Sequence, residues 1–440
     1  MKSKKIILLE KILKFMSVLV LKKYQPTVVA ITGSVGKTTT KEAIYAILSN
    51  FIFARRSTKN FNNEIGVPLT ILGMEGDTSK FSFWAKTFFA WLGLLVFPRK
   101  YPKVLILEMG AYYPGDIKYL CEIASPAVGV LTKIGLSHLE RFKSQKNIIR
   151  EKGQILRCLS KENLAVYNCD DENIVKIVEK ISANSISFGF SPEAKMRASD
   201  VFLVYEKFSD VRGMERDKLR GISFKLNYQG KIIPVRLDHC VSVSYIYGAL
   251  TAFAVGQYFN FNLVEMVQAI KQKFMLAGRM NLIDGIKDTM IIDDTYNSAP
   301  DSLELALSSV EKIRAVRKVV VLGDMLELGK EEEVSHQMLA KMIEKRKIDL
   351  AIFVGKRMAK QKEIFENILG KDKISFFKNP QEAGIFLQGL IRQGDLVLVK
   401  GSQGLRMEKV VEEVMARPEM KEQLLVRQDE GWRKTPFEEV

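Results

Sequence analysis

The sequence predicts an α/β protein built on parallel sheets, and three observations carry that expectation. Short, wholly apolar runs rich in β-branched residues recur along the chain, at 28–31, 104–107, 128–131, 319–322 and 396–399. Runs of this kind are what parallel strands covered on both faces look like. Segments with helical spacing of apolar positions lie between them, and strands alternating with helices specify a doubly wound sheet. The 440 residues are too many for one ordinary core, so two or three domains are expected.

The first apolar run leads into Thr32-Gly33-Ser34-Val35-Gly36-Lys37-Thr38-Thr39, and a helix-compatible segment follows at 41–48. A strand, a glycine turn and a helix start together wrap backbone N–H groups around a phosphate chain. Gly33 and Gly36 let the backbone approach the anion, Lys37 can reach the β- and γ-phosphates, and the Thr38 hydroxyl can ligate Mg²⁺. Ile31 stands where the full Walker pattern has its first glycine, so this is the shortened form, Thr-Gly-x-x-Gly-Lys-Thr. A bare glycine turn is the plainer reading, but Lys-Thr in register favours a nucleotide phosphate site. The run at 104–107 ends in Glu108-Met109-Gly110. Chemistry gathers at the carboxyl ends of strands in open α/β sheets, which places Glu108 beside the phosphate loop as a carboxylate for Mg²⁺. His138 follows another strand end in the same expected sheet, whereas Lys152, in a helical segment, reads by itself as part of a solvated face.

Composition narrows the partners. A hydrophobic fraction of 47% and a charged fraction of 27% are those of a globular protein. The net charge of +16 suits an enzyme of polyanionic substrates, a membrane-surface protein or a nucleic-acid binder. The basic residues are spread along the chain and no nucleic-acid-binding motif is present, so no nucleic acid is expected. Cys121, Cys158, Cys169 and Cys240 lack paired spacing, which argues for a reducing compartment and against disulfides or zinc. Residues 6–21 are apolar but interrupted by Glu10, Lys11 and Lys14, and fit neither a membrane span nor a signal peptide. The aromatic stretch 81–97, closed by Pro98-Arg99-Lys100, is either a helix lying in a membrane interface or a helix buried on the protein's own sheet.

Further along, residues 161–250 alternate short strand patterns and loops, and a new unit begins at Ala277-Gly278-Arg279-Met280. A strand there ends in Asp293-Asp294, a helix follows at 301–313, and three more strand–helix alternations complete the unit. The expected organisation is a basic, apolar segment at 1–25, a central domain at 26–276 with a hydrophobic insertion at about 78–100, a second domain at 277–415, and a helix with a loose tail at 416–440. Glu327 and His336 are expected in helix-capping or interdomain roles.

The motifs in this order resemble the Mur ligase family. The matching stretches include Thr32–Thr39, Asn62-Asn63-Glu64-Ile65-Gly66-Val67-Pro68-Leu69-Thr70, Asp293-Asp294-Thr295-Tyr296-Asn297 and Lys400-Gly401-Ser402-Gln403-Gly404-Leu405-Arg406-Met407-Glu408. They span the chain from about residue 26 to about 415. The resemblance implies a central P-loop ATPase domain with a mostly parallel sheet, followed by a Rossmann-like doubly wound C-terminal domain. It implies an ATP-dependent, ADP-forming amide ligation in peptidoglycan precursor synthesis, in which a muropeptide carboxylate is activated as an acyl phosphate and joined to D-Ala-D-Ala. The implied setting is a cytoplasmic monomer, with peripheral contact at the inner face of the membrane left open by the two apolar stretches. The alternatives are a relative acting on a different, lipid-linked acceptor, and a non-catalytic ATP-binding scaffold that needs a partner.

By the same resemblance Thr32, Gly33, Ser34, Val35, Gly36, Lys37, Thr38 and Thr39 bind ATP, with Arg279, Asp294 and Asn297 in the second domain. Thr38 and Glu108 hold one Mg²⁺ and His138 a second. Lys152 matches a lysine that the family carries as a carbamate directed at metal, Asn62 and Asn63 lie where the γ-phosphate is contacted, and Lys400 and Ser402 meet the peptide substrate. Three departures stand out. Only about two dozen residues precede the central domain, where family members carry a uridine-binding domain. No asparagine appears in Ser244-Tyr245-Ile246-Tyr247-Gly248-Ala249-Leu250, where the family usually contacts adenine. Ala299 stands where the family has a second asparagine after Asn297.

Overall fold

The apolar runs fold as the parallel strands they predict. The computed structural model describes residues 3–57, 61–135, 139–209, 215–429 and 431–432. Two compact units emerge, one made of Met1–Val201, Phe224–Val235 and Val243–Phe274, the other of Phe202–Ser223, Arg236–Ser242 and Met275–Val440.

The first unit holds strands β1 (Thr27–Thr32), β2 (Ala54–Arg56), β3 (Val104–Glu108), β4 (Val128–Leu131), β5 (Leu164–Asn168) and β6 (Asn184–Gly189), all joined in parallel. The longer strands β7 (Met196–Ser209), β8 (Glu215–Tyr228) and β9 (Lys231–Asp238) extend the sheet to nine, in the order β2-β3-β1-β4-β5-β6-β7-β8-β9. The outer parts of these last three strands belong to the second unit. The first five helices of this unit are α1 (Lys4–Tyr24), α2 (Lys37–Leu48), α3 (Gly66–Leu72), α4 (Phe81–Val96) and α5 (Asp116–Ile123). The polar turn at Asn62-Asn63 feeds a helix, α3, because the Asn63 side chain accepts the N–H groups of Ile65 at 3.2 Å and Gly66 at 2.8 Å and so caps it. One face of the sheet, with Val28, Ala30, Leu105 and Leu107, packs on α1, α3, α4 and α5. On α2 the close partner is the helix Val243–Tyr258, where a Cβ on Gly248 would lie only 3.3 Å from Thr39.

The second unit has its own sheet, β10 (Asn281–Gly285), β11 (Thr289–Asp294), β12 (Arg317–Gly323), β13 (Leu350–Val354), β14 (Ile374–Phe377) and β15 (Asp395–Lys400). Its order is β10-β11-β15-β12-β13-β14, parallel throughout except for β10. Side chains alternate across it with a period of two. Ile292, Val320, Leu322, Phe353 and Leu398 join the core under the helices Pro300–Lys312 and Glu332–Glu344. Ile291, Val319, Val321, Ile352 and Val399 join the opposite core, under Pro380–Leu390 and Glu408–Val414. Helices on both faces make this unit doubly wound, as the alternating sequence pattern predicts.

Candidate active site

Sheet order places the site. β1 lies between β3 and β4, with Ile31 in register with Glu108 and Thr32 with Leu131. The loop from Gly33 to Gly36 therefore leaves the sheet at its carboxyl edge between two neighbouring strand ends, which is where open α/β sheets bind ligands. Gly33 (φ +152°) and Gly36 (φ +86°) have backbones that side-chain-bearing residues rarely adopt. A Cβ on Gly33 would lie 2.0 Å from Thr132 Oγ1. Thr132 is the residue that shapes the turn, donating from its hydroxyl to Val35 O at 2.7 Å, and Ser34 N–H donates to Lys133 O at 2.6 Å. At the start of α2, Lys37 Nζ folds back onto Gly33 O at 2.8 Å.

Glu108 is buried at the end of β3 and faces this loop. Its carboxylate accepts from Thr38 Oγ1 at 3.2 Å and from Asn62 Nδ2 at 3.2 Å, and Lys41 Nζ lies 3.8 Å away. Lys37, Thr38 and Lys41 belong to the first turns of one helix, so α2 presents them to the same carboxylate-bearing edge. Asn62 is tied to the β3 end by its backbone as well, since Gly110 N–H donates to its carbonyl at 2.7 Å. Sequence reasoning assigns no role to Lys41 or Thr132. The signals that could have found them are the four-residue step from Lys37 to Lys41 and the position of Thr132 at a strand end.

Lys152 departs from its expected solvated face: it is only 2% exposed, at the end of the helix Gln145–Lys152. Burial, helped by the Lys37 ammonium, pulls its amine down to about 7. The adjacent Glu151 is occupied in structure, accepting Gly115 N–H at 2.7 Å and Ile117 N–H at 2.8 Å at the start of α5. His138 lies outside the described residues. Among the described residues, no three His, Cys, Asp or Glu side chains gather as a metal site. The Thr38 hydroxyl and Glu108 carboxylate are nonetheless the hard oxygen pair that suits Mg²⁺, which takes one or two protein oxygens and completes its shell with phosphates and water.

In the second unit the end of β11 carries a separate constellation. Asp293 is fully buried, and burial pushes its carboxyl up to about 6 although it accepts Gly278 N–H, Thr295 N–H and the Thr295 hydroxyl. Asp294 accepts Met280 N–H at 3.2 Å and Lys400 Nζ at 2.6 Å. Lys400 also donates to Asn297 O at 2.8 Å, and the Ser402 hydroxyl donates to Ser298 O at 3.3 Å while accepting Leu326 N–H at 2.8 Å. Lys400 and Ser402, both 2% exposed, therefore hold the loop 294–298 from beneath. Arg279 stacks on the Tyr296 ring at 4.0 Å. Ala299 has no side chain to cap the helix after it, and Ser302 Oγ takes the Ala299 N–H at 3.1 Å instead.

Arg427 also holds this loop, donating to Thr295 O at 3.0 Å and pairing with Glu408 at 2.9 Å. The stretch up to it is accordingly pinned, with a 3-10 turn at Pro418–Met420 and a short helix at Lys421–Leu424 before it. His336 is a structural histidine, its Nε2 accepting Met325 N–H at 3.1 Å and its Nδ1 2.7 Å from Glu332 O.

Known proteins share the fold and the two domains. Residues 31–83 and 92–232 match the profile of the Mur ligase middle domain, and residues 278–403 that of the Mur ligase, glutamate ligase domain. The UDP-N-acetylmuramoyl-tripeptide–D-alanyl-D-alanine ligase of Bacillus subtilis is 28% identical over 393 residues, which are 89% of this chain and 76% of that protein. The crystal structure of the MurF ligase of Thermotoga maritima in complex with ADP superposes with a TM-score of 0.72 at 26% identity, covering 92% of this chain and 83% of that one. A MurF structure from Acinetobacter baumannii gives a TM-score of 0.73 at 26% identity, covering 92% and 80%. The sheet order, the phosphate loop with its facing carboxylate and the two matched domains all lead to one assignment: the chain belongs to the Mur ligase family.

Proposed function

We propose that this protein is an ATP-dependent, ADP-forming ligase of peptidoglycan precursor synthesis that joins a muropeptide carboxylate to D-Ala-D-Ala. The observation that carries the reading is Glu108 facing Thr38 across the mouth of the phosphate loop, in a chain 28% identical to the B. subtilis D-Ala-D-Ala-adding ligase. A carboxylate oxygen of the muropeptide attacks the γ-phosphorus, ADP leaves, and an acyl phosphate forms. The free amine of D-Ala-D-Ala then attacks the acyl carbon, inorganic phosphate leaves, and the amide nitrogen gives up its proton to solvent.

The first step crowds negative charge onto the γ-phosphoryl group, so fixed cations and N–H donors must already surround it. We assign that task to Lys37 and the amides of the loop from Gly33 to Thr39. We assign γ-phosphate contacts to Asn62, whose amide is held by Glu108, and to Asn63, whose side-chain carbonyl caps α3. Mg²⁺ held by Thr38 and Glu108 would supply charge neutralisation on the phosphate oxygens. The amine of Lys152, with about half of it neutral near pH 7, supplies the form that adds CO₂ to give a carbamate, which supports the carbamate role implied for it. Arg279, Asp294 and Asn297 are assigned to nucleotide contacts. Lys400 and Ser402 act on substrate by fixing the loop 294–298 that they support. The same reading has the chain working as a cytoplasmic monomer with peripheral contact at the inner membrane face.

The test is phosphate release with ATP, Mg²⁺ and D-Ala-D-Ala, run in parallel with soluble UDP-linked and with lipid-linked muropeptide, and with product mass read at the end. Release that requires both peptide substrates, with a product heavier by one D-Ala-D-Ala residue pair, is the expected result. ATP binding with no phosphate release on either acceptor would overturn the assignment in favour of a scaffold.

A further inference from the structure

Helices α1 and α4 each have two apolar faces, and only one of each is used by the core. On α1 the stripe Leu13, Met16 and Val20 is buried, and on α4 Phe83, Thr87 and Leu94 are buried. The opposite stripes are open: Leu8, Ile12 and Phe15 on α1, and Phe88, Phe89 and Leu92 on α4. Each set recurs at the three- and four-residue steps that put side chains on one line of a helix. Phe15 is 61% exposed and Phe89 68%. These two helices with their flanks carry eleven of the 27 exposed large apolar side chains among the described residues. Concentration of this kind on a water-soluble surface marks something that covers it.

The pair is a fixed platform. Lys23 Nζ donates to the carbonyls of Leu94 and Leu95, both at 2.9 Å, and of Phe97 at 3.1 Å, so α1 caps the carboxyl end of α4. Tyr24 OH donates to Leu94 O at 2.9 Å, and Trp91 Nε1 to Met16 O at 3.2 Å. No described helix is long and apolar enough to cross a membrane, so the open stripes are not those of a span.

Charge decides what covers them. Lys4, Lys11 and Lys22 fall on the same side of α1 as Leu8, Ile12 and Phe15, all of them exposed. The single acid of α1, Glu10, is buried on the other side, and α4 has none. At the edge of α4, Lys86 shares a cavity of about 340 Å³ with Arg55 and Arg56. Arg55 there donates to the Ile71 carbonyl and stacks on Tyr101, Arg56 pairs with Glu42, and Glu75 adds one carboxylate to the lining, against the three basic side chains. Apolar stripes edged by lysines match a surface of acyl chains beneath phosphate headgroups, where lysine stems lie on the apolar layer and their ammonium groups meet anions.

We propose that α1 and α4 form a docking platform for a bilayer surface rich in anionic phospholipid, each helix lying along the surface with its open stripe at the acyl boundary. This goes beyond the peripheral contact already proposed by naming the surface, the lipid charge and the residues, and it does not depend on the ligation chemistry.

The experiment is flotation of the full chain with phosphatidylcholine vesicles that contain or lack phosphatidylglycerol, beside the double variant Phe15→Ser, Phe89→Ser. Both side chains are open to water, so folding and any ligation of soluble substrate are expected unchanged. The expected result is flotation with the anionic vesicles, little with phosphatidylcholine alone, and weakening by salt. Each phenylalanine removed should lower partitioning by about tenfold. Failure of the wild-type chain to float with anionic vesicles would overturn the proposal, as would equal flotation of the double variant. A concentration-dependent dimer in sedimentation, abolished by the same substitutions while vesicles stay unbound, would assign the surface to a second copy instead. None of these readouts needs turnover, so a chain that binds vesicles without ligating, or ligates without binding, separates the two proposals.

Discussion

Lys152 shows how far one residue's environment can move its chemistry. Taken alone it reads as one more basic side chain on a helix, yet its folded amine titrates near 7 where an exposed lysine has about 10.5. Between those two values the unfolded chain binds more protons than the native one, so stability rises with pH across that window. The burial penalty is complete below about pH 7 and is gone above about 10.5, a span of up to about 5 kcal/mol. Urea denaturation in carbonate-free buffer should therefore show stability rising from about pH 7 to about pH 10, and Lys152→Met should flatten that slope. An unchanged slope in the variant would place the rise elsewhere. If the carbamate is needed, Lys152→Ala should lose ligation and recover part of it with small carboxylic acids. At Lys37 the expectation is different, because its contact is to a loop carbonyl and not to a core. Lys37→Ala should keep its melting temperature and lose between about a hundredfold and about a thousandfold in kcat. Retained ligation would remove Lys37 from the phosphate site.

At the scale of elements, the phosphate loop depends on a fit with the neighbouring strand end. Gly33→Ala would push a methyl group against Thr132 Oγ1 and the Lys133 backbone, at a left-handed φ that alanine resists. The expected outcome is a loss of about 1–3 kcal/mol with loss of ATP binding, read by denaturation and by nucleotide titration. The two adjacent asparagines should separate by the elements they serve. Asn63→Ala removes the cap of α3 and should cost about 1 kcal/mol. Asn62→Ala leaves the cap in place but frees one oxygen of Glu108, so it should spare stability and weaken turnover. The strands and the loop were legible because β-branched apolar runs and glycine turns have few other uses. Lys152's burial and the Thr132 contact were not, since both are set by which strands become neighbours. The open stripes of α1 and α4 were half legible: the apolar stretches 6–21 and 81–97 stood out, the second as either an interfacial or a buried helix, and only packing could show which side is covered. Likewise the tail residue Arg427 has no local pattern to mark it, because its partners Thr295 and Glu408 are far away in sequence.

For the whole molecule, each unit has a core of its own. The cluster containing Val28, Leu105 and Ile148 draws only on the first unit, and those containing Leu307 and Val397 only on the second. Chains whose units have separate cores often melt in separate steps, so calorimetry should resolve two transitions and not one two-state peak. Gly33→Ala identifies the first unit's transition, since its methyl clash lies wholly within that unit and should lower that peak alone. ATP with Mg²⁺ at about one hundred times its dissociation constant adds about 2.7 kcal/mol to whatever binds it. For a unit of this size that is a rise of about 5–10 °C. The rise should appear in the transition lowered by Gly33→Ala, and Lys37→Ala should abolish it. Omitting Mg²⁺, or replacing Glu108 by Gln, should shrink it, because the metal-binding oxygen pair is then incomplete. A rise that survives Lys37→Ala would place the nucleotide somewhere other than the Gly33–Thr38 loop, and the ligation mechanism built on that loop would go with it.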